Sequence, residues 1–134
     1  MIKVQCTIQA PVSQVWEKWT GPAHICKWNN ASPDWHTPHA ENDLRTGGKF
    51  LSRMEARDGS FGFDFWGIYD EVIPEQKISY TIGDGRKAEI AFTAQGENTQ
   101  IIETFEAENQ NPEEMQRAGW QAILDNFKRY VENS

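Results

Sequence analysis

Ile2, Val4, Cys6 and Ile8 alternate with Lys3, Gln5, Thr7 and Gln9. A period of two predicts a strand with one buried face. Ala10-Pro11 ends it, and Pro11 suits the start of a helix. Val12, Val15, Trp16 and Trp19 then fall at i, i+3, i+4 and i+7, one face of a short helix. Thr20-Gly21-Pro22 breaks that pattern, and a second short helix is predicted over 23–28. After a loop over 29–34, the polar stretch 35–42 is assigned as a strand. Further strands are predicted over 49–56, 60–73, 77–82, 86–94 and 99–106. Gly47-Gly48, Asp58-Gly59, Pro74, Asp84-Gly85 and a turn at 95–98 separate them. Gly62 and Gly67 inside the long strand predict bends or bulges.

The period changes at the C-terminus. Met115, Gly119, Trp120, Ile123, Leu124, Phe127, Tyr130 and Val131 form a wide apolar stripe, opposite Gln116, Arg117, Gln121, Asp125, Lys128 and Glu132. Asn111 is placed to cap this helix, with Pro112 at its first position and Glu114 reaching back to complete a capping box. A helix over 112–132 is about 30 Å long at 1.5 Å per residue, roughly the width of a small domain. Gly119 is expected to let it approach a sheet or to leave room beside Trp120. Strands joined by hairpins imply an antiparallel sheet, one face of which can cover the helix. The pattern is therefore α+β: a strand, two short helices, about six more strands, then a long helix. With 134 residues and no repeat or linker, residues 1–134 are expected to form one domain.

Composition adds exclusions. The formal charge is −7, and no basic cluster is available for phosphate, so nucleic acid is set aside. The same balance disfavours an anionic membrane surface. No stretch approaches the roughly 18 apolar residues of a membrane span, and the N-terminus lacks a signal-peptide core. Two cysteines are too few for a disulfide framework, so a cytoplasmic protein with reduced thiols is expected. Six Trp, seven Phe and three Tyr point to a wide core or a ring-lined pocket.

A family resemblance rests on particular stretches. They are Ala10-Pro11 with Val15-Trp16, then Trp28, Gly47-Gly48-Lys49-Phe50, Trp66-Gly67 with Glu71-Val72-Ile73-Pro74, Ile78-Ser79-Tyr80-Thr81, Thr99, and Gly119-Trp120-Gln121-Ala122-Ile123-Leu124. In this order they cover nearly the whole chain, which resembles the activator of heat-shock protein 90 ATPase homologue-like family of the START-like, or helix-grip (SRPBCC), superfamily. The resemblance implies a curved sheet of about seven antiparallel strands around the long C-terminal helix, with a cavity between them. Superfamily relatives are said to bind lipids, sterols, hormones or polyketides, and some cyclise or hydrolyse their ligands. The namesake co-chaperone carries an additional N-terminal domain that contacts the chaperone, for which this sequence is expected to have no room.

The chemistry-bearing residues are weighed against plainer roles. His36 and His39, with Glu41 or Asp43, sit close in sequence, but positions three apart in a strand face opposite ways, so no metal is expected. No nucleophile elbow, phosphate loop or dinucleotide fingerprint appears, so no catalytic residue and no cofactor are assigned. Cys6 reads as core, and Cys26 has no evident base. Glu103 alternates in phase with Ile101 and Phe105, and Asp64 with Trp66 and Ile68. The simpler reading puts both carboxylates in solvent; a pocket position would demand a partner or a raised pKa.

The candidate pocket residues are Phe63, Phe65, Trp66, Tyr69, Tyr80, Phe92 and Glu103 on strands, and Trp120, Ile123 and Phe127 on the helix. Trp28 and Trp35 are placed near the entrance. The expected function is non-catalytic binding of a small hydrophobic or amphipathic, lipid-like ligand in that cavity. Two alternatives stay open. One is a cyclase- or hydrolase-type enzyme, which would need two converging polar groups. The other is a chaperone-associated stress module, carried by fold analogy. The ligand's identity stays open, as does a homodimer through exposed aromatics.

Overall fold

Each strand buries one face, and the buried faces all point the same way. In the computed structural model, which describes residues 1–133, β1 (Ile2–Ile8) buries Ile2, Val4 and Ile8. α1 (Val12–Thr20) and α2 (Pro22–Trp28) follow, broken at Gly21 as the sequence implies. β2 (Trp35–Asn42), β3 (Lys49–Ala56), β4 (Gly62–Ile73), β5 (Lys77–Ile82), β6 (Lys87–Gln95) and β7 (Asn98–Phe105) run as an antiparallel meander. α3 (Glu113–Glu132) closes the chain.

The strand order is β1-β7-β6-β5-β4-β3-β2. The two short helices therefore carry the chain from one sheet edge to the other, and the meander brings it back. The sheet curls into a half-barrel, and α3 lies against its inner face at the β1 side. There Lys128 Nζ donates to the Thr7 carbonyl at 2.5 Å, and Glu132 accepts from the Gln9 backbone N–H at 2.8 Å. These bonds occupy polar groups of an edge strand that would otherwise be available to another chain. Leu124, Phe127 and Val131 supply the helix's buried stripe, packed with Val4, Ile8, Val15, Ile101 and Phe105.

Three local expectations are corrected. The long strand's register shifts between Tyr69 and Glu71, not at Gly62 or Gly67. Gly67 instead sits beneath a ring: a Cβ there would stand 2.7 Å from the Phe50 ring and 2.6 Å from the Thr81 carbonyl oxygen. At the start of α3, Pro112 is the cap residue, and no side chain caps the helix. Asn111 turns its amide to Glu108 instead. The neighbouring loop is held by buried Gln116, which accepts from the Glu108 N–H at 2.9 Å and donates to the Asn111 carbonyl at 2.8 Å. Met115, placed in the apolar stripe by spacing, is 60% exposed.

Candidate functional site

The inner face of the sheet is read directly from strand alternation. β3 contributes Phe50, Ser52 and Met54; β4 contributes Phe63, Phe65 and Tyr69; β5 contributes Ile78 and Tyr80. Ile90 comes from β6 and Glu103 from β7. Between Phe65 and Tyr69 the same face carries Gly67, and the Phe50 ring fills the space a side chain would take. Trp120 and Ile123 of α3, with Trp19, Ile25 and Trp28 of the short helices, cover this face. They do not fill it. A cavity of about 340 Å³ remains between sheet and helices.

The aromatic side chains divide into two groups. Trp16, Trp19, Trp28, Phe92 and Phe127 pack on one another, with centroids 4.8–5.9 Å apart and mostly edge-to-face. Such pairs add to area burial because ring edges meet ring faces of opposite partial charge. This group packs one end of the core, and two of its members, Trp19 and Trp28, also border the cavity. The second group is Phe50, Phe65, Tyr69, Tyr80 and Trp120, arranged around the open space. Phe50 meets Tyr80 at 4.8 Å and Tyr69 at 5.3 Å, and Trp120 stacks on Phe105 at 3.8 Å.

Of the residues singled out from sequence, Trp28, Phe63, Phe65, Tyr69, Tyr80, Glu103, Trp120 and Ile123 line the cavity. Four stand elsewhere. Phe92 and Phe127 are fully packed among the first aromatic group. Trp66 lies on the outer face, where its indole covers Gly83 and meets the Lys49 ammonium at 4.9 Å. Trp35 forms an edge cluster with Phe61 and Phe63, beside the cavity's rim. Sequence reading passed over Trp19, Phe50, Ser52 and Met54. The phase of β3 contained the signal for the last three, since they alternate from Phe50.

Polar groups converge in this space. Tyr69 Oη donates to Asn42 Oδ1 at 2.5 Å, and burial pushes its pKa up. Glu103 is only 5% exposed, contrary to the simpler expectation, whereas Asp64 lies on the outer face and meets Arg53. No described residue gives the Glu103 carboxyl a hydrogen bond or an ion pair. Burial raises its pKa from 4.5 to about 8, because a charge there would lose its water without gaining a partner. The Tyr80 hydroxyl, held up by burial and then by the nearby Glu103 charge, likewise has no hydrogen bond from a described residue. Arg86 lines the wall from the β5–β6 turn, its Nε donating to Asp84 at 2.8 Å. The Cys6 thiol on β1 is pushed up to about 12 by burial, which suits a packing role over a reactive one.

A shallower groove of about 280 Å³ adjoins the cavity and shares Arg86, Glu108, Trp120 and Ile123 with it. Gly119 lines this groove, and a Cβ on it would meet nothing within 4 Å, so the residue borders open space and makes no close approach to the sheet. The three histidines lie apart. His24 pairs with the Tyr130 hydroxyl at 2.7 Å, His39 with Glu41 at 2.8 Å, and His36 faces Glu55 at 3.9 Å. Among the described residues no group of three metal-ligating side chains gathers.

The chain is similar to known proteins over nearly its whole length. The family model described as Activator of Hsp90 ATPase homolog 1-like protein matches residues 9–132. The solution structure of an AHSA1-like protein from Aeromonas hydrophila is 42% identical, covers 98% of this chain and 93% of that one, and superposes with a TM-score of 0.90. A solution structure from Cytophaga hutchinsonii is 54% identical, with 98% and 92% coverage and a TM-score of 0.85. A crystal structure from Nitrosomonas europaea shares the fold at 19% identity, with 98% and 94% coverage and a TM-score of 0.83. No curated protein sequence matches the chain.

Proposed function

Since the chain belongs to the activator of Hsp90 ATPase homologue 1-like family and has its START-like fold, we propose that it binds a small hydrophobic or amphipathic molecule between the sheet and α3. The cavity of about 340 Å³ carries this reading. Protein interiors pack as densely as organic crystals and leave few voids larger than a water molecule. A space of this size, walled by rings and holding a few polar groups, has the make-up of a small-molecule site. Each apolar Å² that a ligand covers is worth roughly 25 cal/mol, so the aromatic wall supplies affinity while Glu103, Tyr80 and Arg86 set orientation. The same polar groups are the ones an enzymatic reading would use, but among the described residues of the cavity wall no hydroxyl is hydrogen-bonded to a base.

Native mass spectrometry of the protein purified from its own cells tests the reading. The expected result is a reproducible added mass. The Ile123→Trp variant, which projects a larger ring from α3 into the cavity, loses that mass while remaining folded. Absence of an added mass, together with no change in melting temperature when the apolar dye anilinonaphthalene sulfonate is supplied, would count against it.

A further inference from the structure

Glu103 is a costly residue to keep where it stands. A carboxyl moved out of water without a partner loses hydration, and packing alone gives nothing back for it. Its register neighbours, Val4 on β1 and Ile90 on β6, are apolar and buried. Tyr80 and Phe65 of the sheet and Trp120 of α3 line the same cavity. The acidic residues of the wall are Glu41, Glu103 and Glu108; its basic residue is Arg86, already bonded to Asp84. The chain as a whole carries −7.

We propose that the ligand is a hydrophobic amine, its ammonium seated against the Glu103 carboxylate and the ring faces of Tyr80, Phe65 and Trp120, and its apolar body in the rest of the cavity. This rests on the cavity being a ligand site. The chemistry follows from what the pocket lacks and what it offers. A buried acid with no internal partner is completed by a cation that brings N–H donors. Aromatic faces attract the same cation through their quadrupoles. A charge-assisted N–H···O bond is roughly twice as strong as a neutral one. An anionic ligand would meet the Glu41 and Glu108 side chains on the wall and a single guanidinium already paired with Asp84. The negative net charge also raises the local concentration of cations at the mouth.

Protons provide the discriminating measurement. In the free protein the Glu103 carboxyl holds its proton at neutral pH; when an ammonium binds, that proton leaves to solvent and an ion pair remains. The Tyr80 hydroxyl on β5 and the Cys6 thiol on β1 interact electrostatically with Glu103, and both are held protonated by burial; the other charged residues of the wall are Arg86, Glu41 and Glu108. Glu103 is therefore the group that releases the proton. Calorimetric titrations at pH 7 in phosphate and in Tris, with 2-(1-naphthyl)ethylamine and its neutral counterpart 2-(1-naphthyl)ethanol, separate the cases. The expected result is that the amine binds at least about tenfold more tightly than the alcohol and releases about one proton, its affinity rising between pH 6 and 8. In Glu103→Gln the preference disappears while the alcohol still binds. Equal affinities with no proton released would overturn the amine assignment and leave the cavity reading standing. Failure of both probes to bind the wild-type protein at millimolar concentration would overturn both. The proton count is made on the wild-type protein, so it decides the matter even where the variant folds poorly.

Discussion

Glu103 concentrates the largest local conflict in the molecule. Its folded-state pKa of about 8 lies above the ordinary 4.5, so the native state holds a proton that the unfolded state releases. The sign follows. Stability from this group is complete below about pH 4.5 and declines as pH rises to about 8, at up to about 1.4 kcal/mol per unit. Glu103→Gln removes the titration. Denaturant unfolding between pH 5 and 9 is therefore expected to show wild type losing ground against the variant, and a flat difference would refute the assignment. Gly67 makes the opposite kind of demand. A methyl group at this position would stand 2.7 Å from the Phe50 ring and 2.6 Å from the Thr81 carbonyl oxygen, so Gly67→Ala forces backbone or ring displacement. It is expected to cost about 1–3 kcal/mol, as overpacking does, and to shift the near-ultraviolet signal of the aromatic wall.

At the scale of elements, α3 does two jobs with different residues. Its second half is ordinary core. Phe127 is fully buried between Trp19 and Trp28, so Phe127→Ala is expected to destabilise by about 3–5 kcal/mol in a denaturant melt. Its first half borders the cavity and groove with space to spare. Gly119→Ala replaces the poorest non-proline helix former with the best, at a site where the added methyl meets nothing. It is expected to raise stability by about 1 kcal/mol. A loss of stability would mean that the helix lies too close to the sheet to leave open space beside Gly119. The start of the helix shows why spacing misled. Asn111, Pro112 and Glu114 fit a capping box, but Gln116 holds the Glu108–Asn111 loop, and Asn111 is spent on Glu108. A long-range arrangement won over a local motif worth only about 1 kcal/mol.

Across the whole molecule, the sheet's two faces divide the functional possibilities. Action through a bound small molecule depends on the inner face, and contact with another protein depends on the outer one. Trp66→Ala removes an exposed ring that covers Gly83 on the outer face and does not line the cavity. Dye or ligand binding is expected to be unchanged in that variant and lost in Ile123→Trp. The reverse pattern in a cellular assay would favour a chaperone-associated role. A ligand at one hundred times its dissociation constant should also raise stability by about 2.7 kcal/mol, read as a higher melting temperature.

The order of elements was legible because period is a local property. Alternation in β1, β3 and β5 and the stripe of α3 need only neighbouring residues to be read, and the family resemblance placed them on a helix-grip frame. Which aromatics surround space and which fill it could not be read that way. Phe92 and Tyr80 look alike in sequence, each on the buried phase of a neighbouring strand, yet one packs against Trp16 and Trp19 while the other faces a void. The phase of Glu103, shared with Ile101 and Phe105, was equally visible, but the simpler reading put its carboxylate in solvent. Whether that phase met water at a sheet edge or the wall of the cavity depended on β7 lying between β1 and β6 beneath α3. Burial is a sum over everything packed around a side chain, and only the tertiary structure performs that sum.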